Sequence, residues 1–195
     1  MKIFKCQECG WKTTNHSDNS PYLNVSIPDG RESKLSDLLS RRFSKEGKVK
    51  EVYDDVKCDK CFAIHGRNTR RSVTEVITRL PDTLILVLVR HTADIRRNNA
   101  LVRFPLDDLD MDDYYYSVPD AGRDRPGKKS TTHYRCYAVV QHLGENLHSG
   151  HYITLVRDRE RTSQWWEFSD RRIRTIDAAL TQTSNSYIMF YQRIE

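Results

Sequence analysis

Ser149-Gly150-His151-Tyr152 runs directly into Ile153-Thr154-Leu155-Val156, and further on the chain reads Trp165-Trp166-Glu167-Phe168-Ser169-Asp170. The first stretch predicts a β-strand with a histidine at its mouth. The second predicts a neighbouring strand that ends on a hydroxyl and a carboxylate. Glycine carries no Cβ, so Gly150 lets another part of the chain come close beside the histidine. An imidazole there can take and return a proton near neutral pH. A carboxylate on the next strand can hold its ring in one tautomer. These residues make two thirds of a nucleophilic triad, with His151 as base and Asp170 as the carboxylate that could orient it.

Working outward, the same short-strand pattern fills the last third of the chain. Tyr134 to Gln141, His151 to Arg157, Gln164 to Phe168, Ile173 to Ile176 and Tyr187 to Arg193 each read as strands, with His142 to Gly150 as a loop and Asp177 to Leu180 as one helical turn. Close spacing of short strands predicts antiparallel sheet. Upstream, Thr83 to His91 is a continuous apolar run, as expected of a strand covered on both faces. Val102 to Leu106 reads as a further short strand, and Ser117 to Thr131, rich in Gly, Pro, Lys and Arg, as a surface loop.

The N-terminal third carries different chemistry. Cys6-Gln7-Glu8-Cys9 and Cys58-Asp59-Lys60-Cys61 are two Cys-x-x-Cys knuckles. A two-residue gap lets both thiolates of a pair face one ion, and two pairs complete a tetrahedral sulfur site for structural zinc. Each knuckle is expected at the turn of a short hairpin-like segment. The insertion between them holds a strand, Asn24 to Pro28, and a short helix whose Leu35, Leu38, Leu39 and Phe43 share one face. Cys136, the fifth cysteine, lies inside a predicted strand with nothing nearby to activate it.

Composition narrows the class. With 37% hydrophobic and 30% charged residues in 195, the chain suits one soluble core rather than two. No apolar run approaches the ~20 residues that cross a bilayer, and the N-terminus lacks a leader pattern. An intracellular, reducing location in the cytoplasm or nucleus is expected, where paired cysteines bind metal. The net charge of +5 is mild. Arg67, Arg70, Arg71, Arg90, Arg96, Arg97 and Arg103 form a loose basic group. It reads first as a solvated strand edge, and as a zinc-ribbon nucleic-acid surface only as a minor alternative.

The order Tyr134-x-Cys136-x-Ala138-Val139-Val140-x-His142-x-Gly144, Gly150-His151-Tyr152, Trp165-x-x-Phe168-x-Asp170 and Tyr187-Ile188-Met189-Phe190-Tyr191 resembles the His box and closing strands of the ubiquitin-specific proteases. The knuckles with their intervening strand and Leu-Leu helix resemble the fingers of the same family. The resemblance implies an α+β, mostly antiparallel β fold: zinc-binding fingers over 1–79 and the palm of a papain-like cysteine peptidase over 80–195. It implies Cys6, Cys9, Cys58 and Cys61 as zinc ligands, His151 as general base, and Gly150, Tyr152 and His142 along the tail of bound ubiquitin. That family usually places Asp or Asn where this chain has Ser169, and a further Asp where it has Asp170. Its nucleophilic cysteine lies in an N-terminal box, with the thumb, that these 195 residues do not include. The expectation is therefore a fingers-and-palm part of a deubiquitinase, inactive alone. The alternative is a non-catalytic ubiquitin-binding or scaffold module.

Overall fold

The computed structural model describes residues 1–15, 20–28, 30–43, 47–91, 96–116, 131–146, 149–161 and 163–194. In chain order the strands are β1 (Lys2–Cys6), β2 (Lys12–Asn15), β3 (Leu23–Ser26), β4 (Ser33–Lys34), β5 (Val49–Val56), β6 (Thr69–Glu75) and β7 (Thr83–Val89). They continue as β8 (Val102–Arg103), β9 (Leu109–Asp110), β10 (His133–Leu143), β11 (His151–Arg157), β12 (Trp165–Ser169), β13 (Arg172–Ile176) and β14 (Ser186–Arg193). Two α-helices, α1 (Leu35–Arg42) and α2 (Asp59–His65), and two 3-10 turns, Asp112–Tyr114 and Ala178–Thr181, complete the described elements. No helix among the described residues is long and apolar enough to cross a membrane.

Packing divides the chain into two compact units. The first comprises Met1–Ser20, Ser40–Leu80 and Asp112–Pro126; the second comprises Pro21–Leu39, Pro81–Met111 and Gly127–Glu195. This differs from the boundary at 79/80 expected from the sequence. Strand β3 lies in the N-terminal third, yet it pairs in parallel with β7, Val25 opposite Leu88. Sheet hydrogen bonding outranks position along the chain, so residues 21–39 belong with the C-terminal strands.

In the first unit a four-stranded antiparallel sheet runs β2-β1-β6-β5. Its charged centre is Glu75, which accepts from Arg42 Nε and Nη2 at 2.8 Å and from Lys50 Nζ at 3.1 Å. The first knuckle sits at the β1–β2 hairpin turn, as expected. The second does not sit in a hairpin: it opens α2. Cys58 takes the N-cap position in extended conformation, Phe62 N donates to Cys58 O at 2.7 Å, and Gly66 at φ +66 closes the helix. The run Asp59 to His65 contains no glycine or proline, so helix is the cheaper local solution.

In the second unit the path is β13-β12-β11-β10-β14-β7-β3, with β9 also on β10. Strand β7 alternates rather than being covered on both faces. Leu84, Leu86 and Leu88 are buried while Ile85 and Val87 are half-buried, and the strand ends at Val89. The other predicted strands appear within a residue or two of their expected limits, except that β8 covers only Val102–Arg103 and β10 runs on to Leu143. His142 is therefore a strand residue opposite Tyr152, not part of the following loop. The helix face reads correctly: Leu35, Leu38, Leu39 and Phe43 are all buried. Of the expected loop from Ser117 to Thr131, residues 117–130 lie outside the described residues.

Candidate active site and metal centre

The two knuckles meet. The Sγ atoms of Cys6, Cys9, Cys58 and Cys61 all lie within 4.8 Å of one another. Cys6 and Cys61 are 3.8 Å apart, and Cys9 and Cys58 are 3.6 Å apart. A tetrahedron with metal–sulfur bonds of about 2.3 Å has edges of about 3.8 Å, so the donor set fits a single zinc-sized ion. The local chain builds the cage. Gly10, at φ +70, turns the chain after the first knuckle so that Cys6 N donates to Trp11 O at 2.9 Å. Thr69 Oγ1 stands 3.4 Å from Cys6 Sγ as a supporting contact.

Two of the four thiols are shifted in opposite directions. The Cys9 backbone N–H and the Thr69 hydroxyl draw the Cys6 pKa down to about 6. Contact with the Cys9 thiol, and then burial, push Cys61 up to about 12. Without a positive ion, one thiolate makes the next harder to form. These four residues could hold a metal ion.

At the end of the larger sheet, His151 is the first residue of β11 and Ser169 the last of β12. His151 Nε2 lies 2.8 Å from Ser169 Oγ, within hydrogen-bond range. Asp170 follows in the two-residue turn that joins β12 to β13, at φ +50. That turn supplies the bend a strand neighbour would need, yet leaves Asp170 Oδ2 3.9 Å from His151 Nε2, beyond hydrogen-bond range and largely exposed. The structure thus sets the hydroxyl, not the carboxylate, against the ring. His151 Nδ1 has no partner among the described residues, and the side chain is 41% exposed. One nitrogen is oriented and the other is open to a reacting group.

Gly150 explains how His151 comes to stand there. A Cβ at Gly150 would lie 2.9 Å from His142 Cε1 and from Leu143 O, and closer still to His142 Nε2. Only glycine allows the His142 ring to pass under the chain at this point. That ring stacks on Tyr152 with centroids 4.7 Å apart. Burial, and then the Arg97 cation, lower the His142 pKa. Tyr152 is 58% exposed and also meets Tyr187 at 6.4 Å. Gly150 and Tyr152 are therefore exposed beside His151, and the buried His142 ring packs against both.

Cys136 is not a rival nucleophile. It is fully buried, its Sγ donates to Ala138 O at 3.7 Å, and burial pushes its pKa up to about 12. The basic group divides: Arg67, Arg70 and Arg103 are exposed, as a solvated edge requires, while Arg71 and Arg90 are buried. Arg67 pairs with Glu8, Arg70 with Asp54 and Arg103 with Glu32. Arg71 donates to Thr13 Oγ1 and two carbonyls. Arg90 is buried and donates to the carbonyls of Ser186, Asn98 and Ala100. Arg97 binds the segment before His151, a role no charge count could reveal. Tyr187 was visible only as one aromatic in a closing strand.

The family profile described as ubiquitin carboxyl-terminal hydrolase matches residues 2–191. Among curated proteins, ubiquitin carboxyl-terminal hydrolase 2 of Gallus gallus is 30% identical over 196 residues, which is 96% of this chain and 48% of that one. Ubiquitin carboxyl-terminal hydrolase 21 of Bos taurus is 27% identical over 199 residues, 98% of this chain and 31% of its own. The chain thus spans 31% and 48% of the length of these two relatives. A solved structure, the SAGA Ubp8/Sgf11/Sus1/Sgf73 DUB module bound to ubiquitin aldehyde, matches the whole chain and 40% of its own with a TM-score of 0.69. At 23% identity that likeness speaks for the fold alone.

Proposed function

Because this chain belongs to the ubiquitin carboxyl-terminal hydrolase family, we propose that it supplies the base and the substrate-lining side of a cysteine deubiquitinase site. The observation that carries this is the His151 ring, tied at Nε2 to Ser169 and open at Nδ1. In this reading Nδ1 takes the proton of a cysteine thiol, and the thiolate attacks the carbonyl carbon of ubiquitin's last glycine. The imidazolium then returns that proton to the departing lysine amine as the C–N bond breaks. Water, deprotonated by the same nitrogen, hydrolyses the thioester. The thiol is not one of this chain's five cysteines: four converge at the metal centre and Cys136 is buried. Gly150, Tyr152 and His142 line the ubiquitin tail, Ser169 orients His151, and Asp170 adds a distant charge.

The remaining assignments follow the same reading. The metal is zinc, held by Cys6, Cys9, Cys58 and Cys61, and it pins the finger segments, within residues 1–79, that grip ubiquitin. Residues 80–195, joined by β3 from the N-terminal third, serve as palm. Four thiols grouped for metal suit a reducing, intracellular compartment.

Binding tests the substrate. Ubiquitin titrated into this chain, followed calorimetrically, is expected to bind saturably, and Tyr152→Ala to weaken it; no heat of binding with the intact chain overturns the reading. Ser169 favours a second reading. A neutral hydroxyl cannot stabilise an imidazolium as a carboxylate does, so in this reading the site is retained for binding ubiquitin without cleaving it. A ubiquitin probe with a thiol-reactive C-terminus separates the two. It labels the protein isolated from its source if the catalytic reading holds, and leaves it unlabelled if the binding reading holds.

A further inference from the structure

Arg97 gathers acceptors from two separate segments. On one side its Nη2 donates to the His142 carbonyl at 2.9 Å, and its Nη1 donates to the Gly144 carbonyl. On the other side Nη2 meets the Ser184 carbonyl at 3.3 Å and Asn185 Oδ1 at 3.0 Å. The first two acceptors belong to the end of β10 and the turn that leads to His151. The second two immediately precede β14. Backbone bridges join Arg96 to Asn146 in the same turn and Arg97 to His91 after β7.

The described residues of that turn are held close to one another. Asn146 Oδ1 accepts from Ser149 N at 3.1 Å and from Ser149 Oγ at 3.2 Å. A Cβ at Gly144 would strike the Ser149 carbonyl and come within 2.9 Å of Gly150 Cα. His142 N also donates to Asn185 O at 2.9 Å, which ties the end of β10 to the segment before β14. His151 follows Gly150 directly, so the path of this turn decides where β11 starts and where its first ring points. Burial lowers the Arg97 pKa, the mark of a cation taken from water and held by fixed dipoles.

We propose that Arg97 is a positioning residue for His151: by clamping the His142 and Gly144 carbonyls to the Ser184–Asn185 segment, it sets the turn that holds the His151 ring against Ser169. A planar fork of fixed N–H donors suits acceptors spread over two segments, whereas a lysine ammonium is a point donor on a flexible stem. The inference rests on the proposed function only for what His151 does. The position of the ring can be read without any catalysis, so a failed cleavage or binding assay leaves this test intact.

The test is NMR of the His151 ring carbon and proton through a pH titration, in the 195-residue protein and in Arg97→Ala, Arg97→Lys and Arg103→Ala. Arg103→Ala removes an exposed arginine paired with Glu32 and serves as the control. The expected result is a His151 signal and titration midpoint displaced in Arg97→Ala, partly restored in Arg97→Lys and unmoved in Arg103→Ala. Methyl signals of Leu86, Leu88 and Met189 in the buried sheet should stay in place, which separates positioning from general loss of stability. An unmoved His151 signal in a folded Arg97→Ala protein overturns the proposal, even if its melting temperature falls. If Arg97→Ala does not fold, Arg97→Lys decides: a displaced His151 signal supports the clamp and an unmoved one overturns it.

Discussion

Gly150→Ala is the smallest change that reaches the site, and its cost can be worked from the geometry. The backbone at Gly150 is not in the left-handed region, so alanine meets no backbone penalty and the whole effect is steric. The new methyl would stand 2.9 Å from His142 Cε1 and Leu143 O, with His142 Nε2 nearer still. Ordinary carbon contacts begin about half an ångström further out. The His142 ring is 7% exposed and stacked on Tyr152, so it has little room to retreat. Overpacking of this kind costs about 1–3 kcal/mol. At roughly 2–4 °C per kcal/mol for a chain of this size, the melting temperature should fall by about 2–12 °C. Thermal and urea unfolding followed by circular dichroism would measure it. The decisive comparison adds His142→Ala. Removing the ring deletes the main clash, so the double variant should be more stable than the sum of the two single losses by about 1 kcal/mol or more. Additivity within about 0.5 kcal/mol would refute the argument, because the methyl would then not be meeting the ring.

Three further outcomes are expected. Chelation should unfold the region around the cysteines and shift the emission of Trp11, whose ring lies under Lys60 beside the first knuckle; unchanged Trp11 emission in protein shown by elemental analysis to be metal-free would count against a shared ion. Glu75 is held at a pKa of about 2 by hydrogen bonds from Arg42, against an ordinary 4.5. Its contribution of roughly 3 kcal/mol is present above about pH 4.5 and lost as pH falls towards 2. Glu75→Gln should therefore flatten the acid limb of the stability profile and leave a less stable protein at pH 7, and an unchanged acid limb would refute this. Ser169→Asp would set a carboxylate where Ser169 Oγ now lies 2.8 Å from His151 Nε2. It should raise the His151 titration midpoint by roughly one pH unit or less, given the exposure of the ring; a midpoint that stays or falls would show that the side chain at 169 does not face the imidazole.

Much of the fold was legible because it depends on local periodicity. Alternation along Tyr134 to Gln141, His151 to Arg157 and Tyr187 to Arg193 marks strands whatever they pair with, and the helix face of Leu35, Leu38, Leu39 and Phe43 needs only a 3.6-residue period. The papain-like, mostly β fold implied by the ordered motifs agrees with the family match and the structural neighbours. What local pattern cannot carry is partner choice. Nothing in Leu23–Ser26 states that it will join β7 across more than fifty residues of chain, and so the packing boundary fell elsewhere than the expected one. The second knuckle was misjudged for a related reason: Cys-x-x-Cys spacing is compatible with a hairpin or a helix turn, and the residues after it decide.

By itself the sequence determined the chemical parts: four cysteines in matched pairs, a histidine after a glycine at the mouth of a strand, and the alternating strands that carry them. Residue identity and short-range spacing are enough for that, because ligand type, proton affinity and period are local properties. The tertiary structure alone decided which parts meet. It brought the four sulfurs to tetrahedral spacing, chose Ser169 over Asp170 for the His151 ring, and turned Arg97 from one charge among many into a clamp on the turn. Those outcomes depend on strand register and on pairing between residues far apart in the chain, and about an ångström of displacement separates a hydrogen bond at 2.8 Å from a bare charge contact at 3.9 Å.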